Sequence, residues 1–398
     1  MRVLFLTSQF PQPMRSGATI KTATVLEYLR SRHEVHTVCF RSEELDDDQR
    51  EWTNGFAGFD SLQHNRGRNI LSLARSYAGR IPLSIERNRS TEMSRLVERV
   101  MADAAFEAVF VDGWLMAQYL PQDFAALKLL HEHNAEYVIW ERQVDVERNP
   151  FTRRLVRAEA ARVREYEASI LGQFDCVFAV SVADQLALEA IGPEGVKVRV
   201  LSNAADPSLL EQEPLSFSES ERMVLYLGTL SWAPNLEGIG RFLREVWPLV
   251  HRQASDARLV IAGEGAPGWL RRQAGREKGV EFADAPAGSD IYRGARAFIE
   301  ATRTGGGTKV KLLNALARGL PVVASPEAFE GIGVTPGQDA LVEETSSGMA
   351  AAIVRLFDDE ELWQRLSEKG RDLVRQRYTP EAAYTLLDQV LSDAPAPV

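Results

Sequence analysis

A glycine turn, a helix and a β-branched strand follow one another without a break in Thr304-Gly-Gly-Gly-Thr-Lys-Val-Lys-Leu-Leu-Asn-Ala-Leu-Ala-Arg-Gly-Leu-Pro-Val-Val-Ala-Ser325. Gly305, Gly306 and Gly307 form the turn. Lys309 to Ala317 has helical spacing, with Val310, Leu313 and Ala317 on one face; Arg318-Gly319 is a stop signal, and Leu320 to Ala324 an apolar strand. Such a unit belongs to an α/β domain. A glycine turn opening a helix leaves backbone N–H groups unpaired at the positive end of the helix dipole, which makes an anion site, most often for phosphate. Lys309 and Lys311 add mobile positive charge beside it. The same run also fits a helix inside any α/β domain, because glycine turns before helices are common.

The rest of the chain repeats the theme. Arg2–Thr7, Val35–Phe40, Ala108–Val111, Leu127–His131, Cys176–Val180 and Val198–Leu201 read as strands, and Ala18–Arg30 as a helix. A polar stretch rich in Ser, Glu and Pro, Asp206 to Arg222, reads as a linker. The pattern then restarts with Met223–Gly228, Ala257–Ala262, Val280–Phe282, Ala297–Glu300 and Leu320–Ala324 as strands. Glu361–Arg377 and Pro380–Leu391 read as amphipathic helices, followed by a disordered Ala-Pro-Ala-Pro tail. The expected division is therefore 1–205, a linker at 206–222, 223–378, and a closing helix within 379–398. Ligands of open α/β sheets bind beyond the carboxyl ends of the strands, so two facing sheets would make a two-walled cleft.

Composition excludes several classes. No window approaches the roughly 20 unbroken apolar residues of a membrane span. Met1–Ser8 is too short for a signal peptide and reads as a buried strand. Cys39 and Cys176 are the only cysteines, and the six histidines lack metal-ligand spacing such as His-Glu-x-x-His, so neither a disulfide framework nor a metal site is expected. These features suggest a reducing, cytoplasmic compartment. A net charge of −10 argues against nucleic acid as a partner.

Two basic stretches stand apart. Arg66, Arg68, Arg75 and Arg80 bracket Ile70, Leu71, Leu73 and Tyr77 with no acid between them, a pattern suited to anionic lipid at a membrane face or to an acidic acceptor. Arg153, Arg154, Arg157, Arg162 and Arg164 alternate with Glu159, Glu165 and Glu167, which reads as a salt-bridged surface.

Together these segments resemble the GT-B glycosyltransferases, and among them retaining family 4. Arg2–Gly17 looks like that family's first strand and glycine loop. His131-Glu-His-Asn-Ala-Glu-Tyr137 is similar to its His-Asn-x-Glu segment, and Leu201-Ser-Asn-Ala-Ala-Asp206 to the Pro-Asn-Gly-Val-Asp before its linker. Tyr226-Leu-Gly-Thr-Leu-Ser-Trp-Ala-Pro-Asn235 resembles the opening of its C-terminal domain, Leu259–Gly265 the second strand and loop there, and Gly305–Ser325 the donor-binding segment. The resemblance implies two Rossmann-like domains with parallel sheets facing a central cleft. It implies transfer of a sugar from a nucleoside diphosphate sugar to a hydroxyl of a saccharide, glycolipid or other acceptor, with retention and with no metal or other cofactor, in polysaccharide or glycoconjugate synthesis. It further implies catalytic roles for His133, facing the donor sugar, and Lys311, on the diphosphate. Gly17, Gly228, Gly305, Gly306, Gly307, Thr308, Lys309 and Asn314 would bind the donor.

The departures are as informative. Where many members carry two glutamates in the donor segment, this chain has Gly306 and Asn314. The second of those glutamates grips the ribose; asparagine can still hydrogen-bond there, without charge. Members with Arg and Lys after the glycine opening the second domain contrast with Trp232, Pro234 and Asn235 here, with no basic residue before Arg241. Two other readings stay open: a sugar-nucleotide epimerase of the same fold, and a non-catalytic subunit that stabilises a partner transferase.

Overall fold

Apolar β-branched runs with no polar alternation demand sheets covered on both faces, and parallel strands joined by helices satisfy that demand. The computed structural model describes residues 1–14, 17–64, 70–121, 124, 126–147, 149–283, 290–303 and 308–392. The turn Gly305, Gly306 and Gly307, and also Arg66 and Arg68, lie outside these described residues. The chain divides into two compact units. One comprises Met1–Gln12, Thr22–Ser202 and the segment from Tyr384; the other comprises Pro13–Lys21 and Asn203–Ala383.

The first unit holds strands β1 (Arg2–Thr7), β2 (Glu34–Arg41), β3 (Gly58–Gln63), β4 (Ala108–Asp112), β5 (Leu127–His131), β6 (Cys176–Ala179) and β7 (Val198–Val200). They form one sheet in the order β3-β2-β1-β4-β5-β6-β7, parallel at every pairing. Val3 to Leu6 at its centre are wholly buried. The second unit holds β8 (Met223–Leu227), β9 (Arg258–Ala262), β10 (Val280–Ala283), β11 (Ala297–Glu300), β12 (Val322–Ala324) and β13 (Leu341–Val342), in the order β10-β9-β8-β11-β12-β13, again all parallel. Each order reverses direction beside its first strand, the position where such sheets open a binding crevice at their carboxyl ends.

Several expected boundaries shift. The helix after the glycine turn is Val310–Arg318, with Lys309 as its N-cap, and it closes on Gly319 in a left-handed conformation (φ 82°). A Cβ at Gly319 would come within 2.8 Å of the Ser367 hydroxyl, so glycine is required there for space as well as for φ. The polar stretch after Asp206 contains a short helix, Pro207–Glu211, capped by the Asp206 carboxylate, and Leu209, Leu210, Leu215 and Phe217 pack on the second unit's cores. The single helix expected over Pro380–Leu391 is two, Pro380–Ala383 and Thr385–Ser392. They part at Tyr384, whose ring is buried edge-on against Tyr28, while Asp388 accepts a hydrogen bond from the Tyr28 hydroxyl.

Candidate active site

In the second unit the site is built where β8, β9 and β11 end. Gly228 follows β8 and Gly263 follows β9, the latter at φ 141°. A Cβ on Gly263 would lie 1.9 Å from the Gly228 carbonyl oxygen, and one on Gly228 would meet Asn235 Nδ2, the Tyr226 hydroxyl and Lys311 Nζ at 3.0–3.2 Å. A side chain at Gly228 would therefore crowd the Lys311 ammonium at the strand end. Lys311, in the first turn of Val310–Arg318, donates to Asn235 Oδ1 at 3.0 Å, lies 4.8 Å from the centre of the Tyr226 ring, and forms an ion pair with Glu300.

Glu300 ends β11 and is wholly buried. Its Oε1 accepts from the Thr302 backbone N–H at 2.9 Å and from the Thr302 hydroxyl. Burial works against its charge; Lys311 and these hydrogen bonds outweigh it and hold the carboxyl below its ordinary range. The result is a cation fixed at a helix N-terminus, whose dipole adds partial positive potential. Thr308 is buried, with its hydroxyl donating to the Gly331 carbonyl at 3.4 Å, and Lys309 Nζ donates to the Glu327 carbonyl at 3.3 Å.

Asn314 sits one helical turn further on, buried, and its Oδ1 accepts the Asp206 backbone N–H at 2.9 Å. The backbone that opens Pro207–Glu211 thus engages the oxygen of the side chain expected at a ribose. Asn203 Nδ2 donates to the Thr308 carbonyl at 2.6 Å, tying the same region to the residues that lead into Val310–Arg318. At Gly17, the first residue of the helix Gly17–Arg30, a Cβ would meet nothing within 4 Å, so the folded chain itself sets no requirement for glycine there.

In the first unit a second constellation stands at the ends of β1, β4 and β5. Asp112 ends β4 and is buried. Its Oδ1 lies 2.8 Å from His131 Nδ1 and 2.7 Å from His133 Nε2, while its Oδ2 accepts from the hydroxyls of Thr22 (2.5 Å) and Thr7 (3.3 Å). Burial opposes the charge on Asp112, but His133 and then His131 outweigh it and hold the carboxyl well below the usual range. Between the histidines, Glu132 is wholly buried; burial, Glu167 and Glu136 push its carboxyl well above the ordinary range.

Asp112, His131 and His133 also correct the expectation that the histidines offer no metal-ligand grouping: their ligand atoms all lie within 4.8 Å of one another. The grouping is invisible to linear motifs because the carboxylate comes from a neighbouring strand. Its dimensions are those of hydrogen bonds. Two ligands on one tetrahedral zinc, each about 2.0–2.2 Å from it, stand about 3.3 Å apart, whereas the Asp112 contacts are 2.7 and 2.8 Å.

The arginine-rich stretch also differs from expectation. Glu159 and Glu167 are buried rather than on the surface: Glu159 pairs with Arg162 and accepts the Leu83 N–H at 2.6 Å, and Glu167 accepts the Glu136 and Tyr137 N–H groups, each at 2.9 Å. Only Arg162 and Arg164 find acids, the latter Glu141 at 3.1 Å, among the described residues.

Residues 221–359 match the family model of the group 1 glycosyl transferases. The second unit carries a glycosyltransferase domain. The whole chain has the GT-B fold of the solved structures it resembles. Sucrose-phosphate synthase from Thermosynechococcus elongatus superposes with a TM-score of 0.69 at 17% identity, over 98% of each chain. Anabaena HepE in complex with UDP-glucose does so with a TM-score of 0.67 at 14% identity, over 98% of this chain and 99% of that one. WaaG, a glycosyltransferase involved in lipopolysaccharide biosynthesis, gives 0.69 at 14% over the same shares. In sequence the chain is 21% identical over 402 residues to an uncharacterized 44.6 kDa protein in the cps region of Klebsiella pneumoniae, covering 96% of this chain and 98% of that protein. No helix among the described residues is long and apolar enough to cross a membrane.

Proposed function

We propose that the chain transfers a sugar from a nucleoside diphosphate sugar to an acceptor hydroxyl, with retention of configuration and without a divalent metal. The observation that carries this reading is Lys311, held by buried Glu300 at the carboxyl ends of the strands in the domain that matches the group 1 transferases. A diphosphate gains negative charge as it leaves, and a fixed cation there stabilises the transition state without reorganisation. On this reading Lys311, Lys309, Thr308, Gly228 and the glycine turn bind the diphosphate, and His133 meets the donor sugar from a ring oriented by Asp112. UDP-glucose in HepE, the lipopolysaccharide role of WaaG and the cps-region relative support a UDP-type donor and a saccharide or glycolipid acceptor.

The engaged oxygen of Asn314 favours one rival, a non-catalytic subunit that binds no nucleotide. Calorimetric titration with UDP and GDP in the presence of EDTA separates the two. Binding unaffected by EDTA is the expected result; no binding, or binding only with magnesium or manganese, would contradict the proposal. The same titration reads position 314. A glutamate there can keep the Asp206 contact with one oxygen and reach a ribose with the other, so Asn314→Glu should tighten nucleotide binding by up to about tenfold. Asn314→Leu should weaken it and lower the Tm. If wild type binds neither nucleotide and Asn314→Glu restores binding, the site has been lost and the chain is not an active transferase.

A further inference from the structure

An amphipathic helix on a globular domain turns its apolar side inward. Ile70–Gly79 does the reverse. Among its described side chains the buried ones are Ser72 and Ser76, the latter donating to the Ile81 carbonyl at 2.7 Å, while Leu71 is 59% exposed, Tyr77 44% and Leu73 42%. The adjoining helix, Pro150–Leu171, repeats the feature at its start, where Phe151 is 73% exposed and Leu155 43%. Phe151, Leu155 and Arg162 share one stripe of that helix, at i, i+4 and i+11. The Arg162 guanidinium lies 4.0 Å from the centre of the Tyr77 ring, which brings the two helices together in the first unit.

Single exposed apolar side chains are ordinary, but five large ones on two touching helices are not. The charge around them is equally one-sided. Arg75, Arg80, Arg153, Arg154 and Arg157 are exposed and, among the described residues, have no acidic partner. Ile70–Gly79 contains no acid, and the only acid from Pro150 to Ala160 is the buried Glu159. The chain as a whole carries −10.

We propose that this apolar face and its arginine rim dock on the surface of an anionic phospholipid bilayer. Leucine and aromatic side chains enter the boundary between headgroups and acyl chains, and the guanidinium groups pair with lipid phosphates. Each basic side chain near such a surface strengthens partition by about fivefold at low salt. The inference stands on burial and charge alone and does not depend on the transferase reading.

Cosedimentation of the full chain with phosphatidylcholine vesicles, with and without phosphatidylglycerol, tests it. Binding to the phosphatidylglycerol vesicles, released by high salt, is expected. Leu71→Glu with Phe151→Glu should reduce it at least tenfold with an unchanged Tm, because both side chains are exposed in the fold. Arg75→Glu with Arg154→Glu should also lose at least tenfold. No vesicle binding, equal binding to both kinds of vesicle, or binding untouched by these variants would overturn the proposal. So would a dimer that the Leu71 and Phe151 variants dissociate and that binds no vesicle, because a second copy would then cover the face.

Discussion

Lys311→Ala lowers turnover by about 10²–10³, the usual cost of one well-placed electrostatic donor, and weakens binding of the free nucleoside far less. The geometry explains both parts. Lys311 Nζ is fixed by Asn235, Glu300 and the Tyr226 ring at the end of β8, where a leaving diphosphate would gain charge, and nothing in that arrangement touches a base. The substitution has a second consequence. It leaves Glu300 as a buried carboxylate without its cation, and breaking a buried pair in this way costs about 3–5 kcal/mol. A fall in activity could then reflect unfolding. Glu300→Gln combined with Lys311→Met removes both charges at similar volume and recovers most of the lost Tm. The double variant should remain as slow as Lys311→Ala. Recovery of turnover along with the Tm would show that the lysine serves only to pair the buried glutamate, and turnover within about threefold of wild type in Lys311→Ala would assign the phosphate to backbone N–H groups.

Asp112→Asn is the second large effect, about 10²-fold in kcat, within the range for a general acid or base held in the correct protonation state. The amide keeps the size of the carboxylate but cannot accept from His131, His133, Thr7 and Thr22 with two anionic oxygens. The His133 ring then loses the partner that fixes its tautomer, as it would in any carboxylate–imidazole pair. Because Asp112 acts through His133, the two substitutions should not add: Asp112→Asn with His133→Ala should be no slower than His133→Ala alone. Additive losses would mean that Asp112 meets substrate itself or supports only the fold. The Asp112 contribution to stability has a definite pH sign. Its folded-state pKa is depressed, so its stabilisation is full above the ordinary carboxylate range and is lost as pH falls through the folded value. The Tm difference between wild type and Asp112→Asn should therefore shrink on acidification.

Strand cores were legible in the sequence because parallel strands buried on both faces have no polar alternation to obscure them. The two strands that were not legible lack that signature. β3, Gly-Phe-Asp-Ser-Leu-Gln, is a half-buried edge, and β13 is two residues long. Lys311 stands out in the sequence from its place after the glycine run; its partner does not. Glu300 ends the apolar run Ala-Phe-Ile-Glu, read correctly as a strand, but nothing in the run marks its last residue as a wholly buried charge. Asp112 follows the same rule at the end of β4. An acid that closes an apolar strand just before a loop is the signal that would have found both, since the carboxyl end of a parallel sheet is where buried charge can be met by helix N-termini and by side chains of neighbouring loops. One contact of Asn314 is illegible for a different reason. Helical spacing placed the residue correctly, but no local pattern announces a hydrogen bond to Asp206, more than a hundred residues earlier in the chain.

The central claim is nucleotide-sugar-dependent transfer without a metal, and release of nucleoside diphosphate from a panel of UDP- and GDP-sugars in EDTA tests it most directly. Phosphorus NMR would follow the diphosphate, and proton NMR the configuration of the new anomeric centre. The account predicts that at least one donor is consumed at a rate unaffected by EDTA, slowed by Lys311→Ala and by Asp112→Asn, with the anomeric configuration kept. Consumption that requires added magnesium or manganese, an inverted product, or no consumption of a donor that the protein demonstrably binds would contradict it.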